Sequence, residues 1–206
     1  MAFPPEIAIA TRNRHKVGEI REICSDWPVR WVTDDARWPE VEETGATYLD
    51  NALLKARAIA LASGVPALAD DSGIEVDVLH GGPGPRSARF AGEGATDAAN
   101  LRLLIEVLTE ADPELRTGRY RCVAALAYPD GRASWAEGVC EGRLLTLPRG
   151  AGGFGYDPAF VPAEEDLDAG SGRTMAELSA AEKHAISHRG RAFRRLRDLL
   201  AEPGAG

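Results

Sequence analysis

The stretch PALADDSGIEVDVL, residues 66–79, decides how the chain is interpreted, because two strand patterns meet there at two adjacent acids. PALAD is a short apolar run typical of a buried strand, and GIEVDVL alternates apolar and polar residues as a half-buried strand does. The acids Asp70 and Asp71 fit either an ordinary polar strand end or a metal site with a base beside it. Because side chains alternate along a strand, both acids serve one site only if the strand ends or twists near Gly73.

Strand and helix patterns alternate on both sides of this stretch. Strands are predicted at IAIA (7–10), WPVRWV (27–32), RYRCVAALAYP (119–129) and SWAEGVCEGRLLTL (134–147), and helices at 14–25, 49–63, 97–110 and 176–202, the last broken near Gly190. This order predicts an α/β fold with a mixed sheet and flanking helices. We expect a single domain over residues 1–202 with two lobes, followed by a frayed tail at 203–206.

Composition excludes several classes of protein. The 206 residues carry a net charge of −8, so a nucleic-acid polymer is not an expected partner. Three cysteines without CxxC spacing predict neither a disulfide framework nor a zinc finger. No run approaches the ~18 apolar residues that a membrane span needs, and the start lacks the pattern of a secretory signal, so we expect a cytoplasmic protein.

Two segments combine helix starts with lysines. TRNRHKVGE (11–19) lies between a strand and a helix, where backbone N–H groups attract anions, and it offers Asn13 and Lys16. Asn51 and Lys55 are four residues apart and share a face of the next helix. Each lysine fits a phosphate ligand, but each also fits a simpler role, as a solvated residue near a helix cap or as a side chain that snorkels to water.

Two further segments resemble known motifs without matching them. GAGGFG (150–155) has the spacing of a dinucleotide-binding loop, but Pro158 and Pro162 follow where that motif opens a helix. We therefore interpret it as a flexible loop that presents Phe154 for stacking on a planar ligand. HAISH (184–188) has two histidines at i and i+4 but lacks the glutamate of a zinc-protease helix, so zinc is not expected.

Taken together, these segments resemble the inosine triphosphate pyrophosphatase family, also called HAM1-like, whose bacterial members act on dITP and XTP. The resemblance spans nearly the whole chain and is carried, in the family's order, by ATRNRHKVGE, EETGATYLDNALLKA, ALADDSGIEVDVLHGGPGPRSARFAG, ATDAANLRLL, GAGGFGYDPAFVP and AELSAAEKHAISHRGRA. One departure is Arg12, where many members have Gly or Ser, and it puts the local loop shape in doubt.

The resemblance implies an elongated fold with a central cleft between two lobes, a homodimer, and Mg²⁺-dependent hydrolysis of ITP, dITP and XTP to the monophosphate and pyrophosphate. It implies that Asp70 and Glu43 hold the metal and that Asp71 handles the attacking water. The residues implied to bind the phosphates are Asn13, Lys16, Lys55 and Ser72, and Phe154 is implied to stack on the base. Asp157, Lys183, His188 and Arg189 are implied to face the purine edge. Thr11, Gly155 and Tyr156 are also implied to bind the substrate.

Two alternatives remain open from the sequence. A Maf-like pyrophosphatase shares the architecture but prefers pyrimidine or modified nucleotides. A nucleotide-binding regulator would bind ITP without releasing pyrophosphate.

Overall fold

A computed structural model describes residues 3–33, 38–166 and 172–201, so the predicted tail at 203–206 lies outside the described residues. The strands are β1 (Glu6–Ile9), β2 (Arg30–Val32), β3 (Ala67–Val76), β4 (Thr117–Ala127), β5 (Ala133–Leu144) and β6 (Phe160–Pro162). The α-helices are α1 (Arg14–Ile23), α2 (Tyr48–Ser63), α3 (Asp97–Glu110), α4 (Ala180–Ile186) and α5 (His188–Ala201). None of the helices in this part of the chain has the length and apolar character needed to cross a membrane.

The six strands form one mixed sheet in the order β2-β1-β3-β4-β5-β6. β1 pairs in parallel with β2, with Ile7 opposite Trp31, and also in parallel with β3, with Ile9 opposite Leu68. At the other edge β5 and β6 are antiparallel. The mixed α/β sheet predicted from the alternating patterns is therefore confirmed.

β3 differs from the prediction, because the two expected strands are one. The strand continues through both acids instead of ending there. Gly73 is needed for a close approach and not for a turn, since a Cβ at this position would lie 2.2 Å from the carbonyl oxygen of Gly84. A second contact fixes the same point, because the Ser87 hydroxyl accepts a hydrogen bond from the Ile74 backbone N–H at 2.8 Å.

The C-terminal helical segment is broken at Ser187 and not near Gly190. Ser187 has an extended backbone with φ −65° and ψ 153°, and it separates α4 from α5. Gly190 lies inside α5 and does not interrupt it, so the predicted position of the break was wrong. Residue-level capping explains where α4 begins, because Ser179 and Glu182 form a reciprocal capping box.

The chain divides into two compact units. The first comprises the described residues of Met1–Asp71, Cys122–Gly138 and Arg189–Gly206, and the second those of Ser72–Arg121 and Val139–His188. Each has apolar cores of its own. In the first unit one core packs around Ile7, Leu126 and Phe193, and in the second a core packs around Ile74 and Phe160.

Candidate active site

Asp70 is fully buried in the first unit and is surrounded by cations. Its Oδ2 lies 3.1 Å from Lys16 Nζ and 3.0 Å from Arg189 Nη2. Burial by itself would raise the pKa of Asp70, but Lys16, followed by Arg189 and Lys55, lowers it well below its ordinary value. Asp70 is therefore a permanent anion that holds two positive side chains in place.

The ion pairs continue from Arg189 to an acid on α1. Arg189 Nη1 lies 2.6 Å from Glu19 Oε2, and the arginine is only 2% exposed. The four side chains form a row, Glu19–Arg189–Asp70–Lys16. The guanidinium of Arg189 is therefore held by two carboxylates, and its contact with the purine stays a prediction.

Asp71 is 3% exposed and has a different set of partners, all of them on the α2 side. Its Oδ2 accepts a hydrogen bond from Asn51 Nδ2 at 3.1 Å, and its Oδ1 lies 3.5 Å from Lys55 Nζ. Burial, reinforced by the nearby charge of Glu43, raises the pKa of Asp71 above its ordinary value despite the opposing effect of Lys55. A buried carboxylate with a raised pKa and one fixed oxygen is suited to accept a proton.

Lys55 joins Asp71 to Glu43. Its ammonium lies 2.6 Å from Glu43 Oε1, so Glu43 and Asp71 share one cation. Burial lowers the pKa of Lys55, but Asp71, then Asp70 and Glu43, raise it by more, so the side chain stays protonated. The predicted second lysine therefore lies at the acids and not on a solvent face.

The surroundings of the two acids bear on the predicted metal ligands. Mg²⁺ prefers oxygen ligands, and one or two carboxylates suffice because substrate phosphates and water complete its shell. Glu43 and Asp71 fit this requirement through their shared position beside Lys55. Asp70 is fully buried and its Oδ2 is held by Lys16 and Arg189, whereas the Glu43 side chain is 29% exposed beside Lys55. The identity of the metal ligands stays a prediction. Within residues 3–33, 38–166 and 172–201 no group of three or more His, Cys, Asp or Glu side chains has metal-binding geometry.

The loop before α1 is organised by its own side chains. Asn13 is the N-cap of α1, and its Oδ1 accepts hydrogen bonds from the backbone N–H groups of His15 (2.9 Å) and Lys16 (3.2 Å). Thr11 Oγ1 accepts one from the Asn13 backbone at 3.2 Å. Arg12, the departure from the family pattern, donates to the Trp38 carbonyl at 2.9 Å and so ties the loop to a following segment.

A second cluster of predicted residues lies in the second unit, around Asp157. Asp157 Oδ2 accepts hydrogen bonds from Lys183 Nζ at 2.6 Å and from the Phe154 backbone N–H at 3.0 Å. The ammonium of Lys183 also lies 5.1 Å from the centre of the Phe154 ring. Asp157 therefore organises the glycine-rich loop and orients Lys183, and its predicted contact with the purine edge stays a prediction.

The remaining predicted residues of this loop have structural partners. The Gly155 N–H donates to Asp97 Oδ2 at 3.1 Å, and the buried Tyr156 hydroxyl donates to the Ser87 carbonyl at 2.7 Å. The Gly155 N–H and the Tyr156 hydroxyl are therefore already engaged within the protein. Their contact with substrate stays a prediction. Ser72 lies within β3, directly after the acids.

Two residues of the first unit were not assigned a role from the sequence. Glu19 lies on α1 and pairs with Arg189, which is 170 positions away in the sequence. Asn51 was recognised only as a neighbour of Lys55, yet it holds Asp71 and also accepts the Gly45 N–H at 2.8 Å. Both act through pairs that are distant in sequence, which no local pattern shows.

Comparison with known proteins identifies relatives along almost the whole chain. Residues 7–199 match the profile of the Ham1 family. A "dITP/XTP pyrophosphatase" of Streptomyces coelicolor is 49% identical over 200 residues, covering 95% of this chain and 97% of the relative. A protein of the same name from Geobacter sulfurreducens is 46% identical, covering 96% and 98%.

Solved structures agree with this result. A HAM1 protein from Coxiella burnetii is 40% identical with a TM-score of 0.82, covering 96% of this chain and 98% of that chain. A nucleoside-triphosphatase / dITP/XTP pyrophosphatase from Mycobacterium abscessus is 41% identical with a TM-score of 0.72, covering 96% and 100%.

Proposed function

This chain belongs to the Ham1 family, and from that premise we propose that it hydrolyses the noncanonical purine nucleotides dITP, XTP and ITP to nucleoside monophosphate and pyrophosphate. The observation that carries the proposal is the position of Asp71. Burial raises the pKa of this carboxyl, and Lys55 lies beside it. Its neighbour in the sequence, Asp70, forms an ion pair with a second lysine, Lys16. Two lysines whose side chains are 15% and 12% exposed lie beside a base, which suits a polyanionic substrate that water must attack.

In the proposed reaction, Asp71 accepts a proton from a water molecule whose oxygen forms a bond to the α-phosphorus. The bond between that phosphorus and the oxygen bridging to the β-phosphate breaks, and pyrophosphate leaves with the electron pair. Asn51 fixes one oxygen of Asp71, so the other oxygen is positioned to receive the proton. A pKa raised toward the working pH makes the carboxylate a better base than an exposed aspartate.

The lysines supply positive charge where negative charge develops. Asp70 and Asp71 hold the ammonium groups of Lys16 and Lys55 respectively, which restricts their motion before substrate binds. Removing a charged donor of this kind from a dry site costs about 10²–10³ in rate. Glu43 and Asp71 would hold Mg²⁺, which when bound screens the charge of the leaving pyrophosphate.

The residues around Asp157 in the second unit support recognition of the purine. Inosine and xanthine present an oxygen acceptor at C6, whereas adenine presents an amino donor. Lys183 is a donor in this cluster, and Phe154 is an aromatic surface for the base. The buried His188 stacks on Tyr120, which itself donates to Asp157 and so adds a second donor nearby. A buried donor facing the adenine amino group would be left without an acceptor, which is costly, so we expect ITP to be preferred over ATP.

The homodimer remains a proposal drawn from the family resemblance, and the cytoplasmic location remains the expectation drawn from the sequence. Sedimentation of the purified protein tests the first, because a dimer has twice the 22.0 kDa mass of the chain.

One assay tests the proposed reaction: pyrophosphate release from ITP, dITP, XTP, ATP, GTP, dUTP and dTTP, each with and without Mg²⁺. We expect release from the first three, and only with the metal. Preference for dUTP or dTTP would instead support the Maf-like alternative. Binding of ITP without release of pyrophosphate would overturn the enzymatic proposal.

A further inference from the structure

We propose that Tyr120 is a specificity-determining positioning residue, which holds His188 and Asp157 in the orientation that selects the base. The inference rests on the proposed function and adds a residue that neither the motifs nor the resemblance had assigned. Tyr120 lies on β4, in the part of that strand that belongs to the second unit.

The phenol hydroxyl contacts the carboxylate that organises the glycine-rich loop. Tyr120 Oη donates to Asp157 Oδ1 at 3.2 Å, whereas the other oxygen, Oδ2, accepts from Lys183 and from the loop backbone at Phe154. Each carboxylate oxygen therefore has its own donors. Without the phenol the carboxylate would be free to rotate about its Cβ–Cγ bond, and Lys183 would move with it.

The ring of the same residue fixes the histidine. The Tyr120 and His188 rings are stacked with their centres 4.6 Å apart and their planes at 9°. The ring of Phe160 also packs on Tyr120, with the two ring centres 4.7 Å apart and the ring planes at 57°. Because Tyr120 is only 7% exposed and its ring lies nearly parallel to that of His188, the imidazole plane has little freedom to tilt.

A rigid strand is a better support for a recognition site than a loop is. His188 begins α5, and Asp157 lies in a short 3₁₀ turn 31 residues earlier in the sequence. One side chain of β4, that of Tyr120, contacts both. Burial, followed by the charge of Asp157, raises the pKa of the Tyr120 phenol well above its ordinary value, so the phenol remains a hydrogen-bond donor throughout the working pH range.

The test compares two Tyr120 variants with one control. Tyr120→Phe removes only the hydroxyl, and Tyr120→Leu also removes the stacking partner of His188. We expect the ratio of kcat/KM for ITP over ATP to fall about tenfold in Tyr120→Phe, the size of one hydrogen bond to a charged group, and further in Tyr120→Leu. KM for ITP should rise while kcat at saturating ITP changes little, because the phosphate-side residues are untouched.

Phe160→Leu is the matched control. It removes a fully buried aromatic ring from the other contact of Tyr120, but it leaves both the hydrogen bond to Asp157 and the stack on His188. We expect lower thermal stability with an unchanged ITP/ATP ratio. A purely structural role for Tyr120 would instead give variants that differ from the parent in stability but not in this ratio, and that result would overturn the proposal.

Failure of this proposal can be told apart from failure of the proposed function. If the parent protein releases no pyrophosphate from ITP, dITP or XTP, the function itself is wrong. If the parent prefers ITP over ATP and Tyr120→Phe keeps the full preference, only the role of Tyr120 is wrong.

Discussion

At the scale of single residues, Asp70 and Asp71 show how two identical neighbours acquire opposite properties. They alternate on an uninterrupted strand, so their side chains point in opposite directions. Asp70 meets Lys16 and Arg189, which lower its pKa, whereas burial and then Glu43 raise the pKa of Asp71. One acid is fixed as a structural anion and the other is available to take a proton.

The same substitution at the two positions should therefore give opposite results. Asp71→Asn should abolish turnover, by a factor on the order of 10²–10⁴, because an amide is a poor base. It should not lower stability at neutral pH, since ionising a carboxyl whose folded pKa is raised opposes folding. Asp70→Asn should cost about 3–5 kcal/mol, because it leaves Lys16 without its carboxylate partner and the buried Arg189 with one of its two carboxylates.

Denaturant unfolding and steady-state assays on both variants provide the measurement. The stability that Asp70 contributes is present above the ordinary aspartate pKa of 3.8 and is lost as the pH falls toward its lower folded value. The stability difference between parent and Asp70→Asn should therefore shrink in acid. Near-parental turnover in Asp71→Asn would remove Asp71 from the role of base.

At the scale of elements, the start of α1 combines a structural and a binding role in one residue. Asn13 caps the helix through its side-chain oxygen, and this occupies two of the backbone N–H groups that attract anions. The predicted amide donor to phosphate and the observed cap use different atoms of the same side chain, so the two roles do not exclude each other.

Substitutions at Asn13 should separate these roles. Asn13→Ala should cost about 1 kcal/mol through loss of the cap. Asn13→Asp keeps a capping oxygen and adds a negative charge, so it should retain stability but raise the KM for ITP about tenfold through repulsion of the phosphates. Asn13→Ser keeps the cap without the charge and serves as the control. An unchanged KM in Asn13→Asp would place the phosphates away from this helix start.

At the scale of the whole molecule, all three cysteines are free and buried in apolar cores. Burial is the main cause that raises the pKa of Cys24 and of Cys122, and the neighbouring carboxylates Asp26 and Asp70 raise it further. The expectation of no disulfide framework agrees with these three free thiols.

The thiols should react only when the chain unfolds. With DTNB at neutral pH we expect negligible reaction of the native protein and reaction of three thiols in denaturant, because the thiolate is the nucleophile and each sulfur is buried. Rapid reaction of even one thiol in the native state would show that a core opens far more readily than its packing indicates.

The sequence by itself determined the mixed sheet, the family and most of the order of strands and helices, although it missed the short strand β6. These follow from local periodicity, helix caps and motifs, which depend on residues close together in the chain. The boundaries it missed, at β3 and at Ser187, are places where contacts with distant residues decide whether a strand or helix continues.

Only the tertiary structure decided which side chains meet. The pairing of Asp70 with Arg189 spans 119 positions and that of Tyr120 with Asp157 spans 37, so neither is visible in any sequence window. Arg189, expected beside the purine, is held by Asp70 and Glu19. The physical reason is that a charge buried in an apolar core is stable only with a partner, and the fold alone determines which partner is within reach.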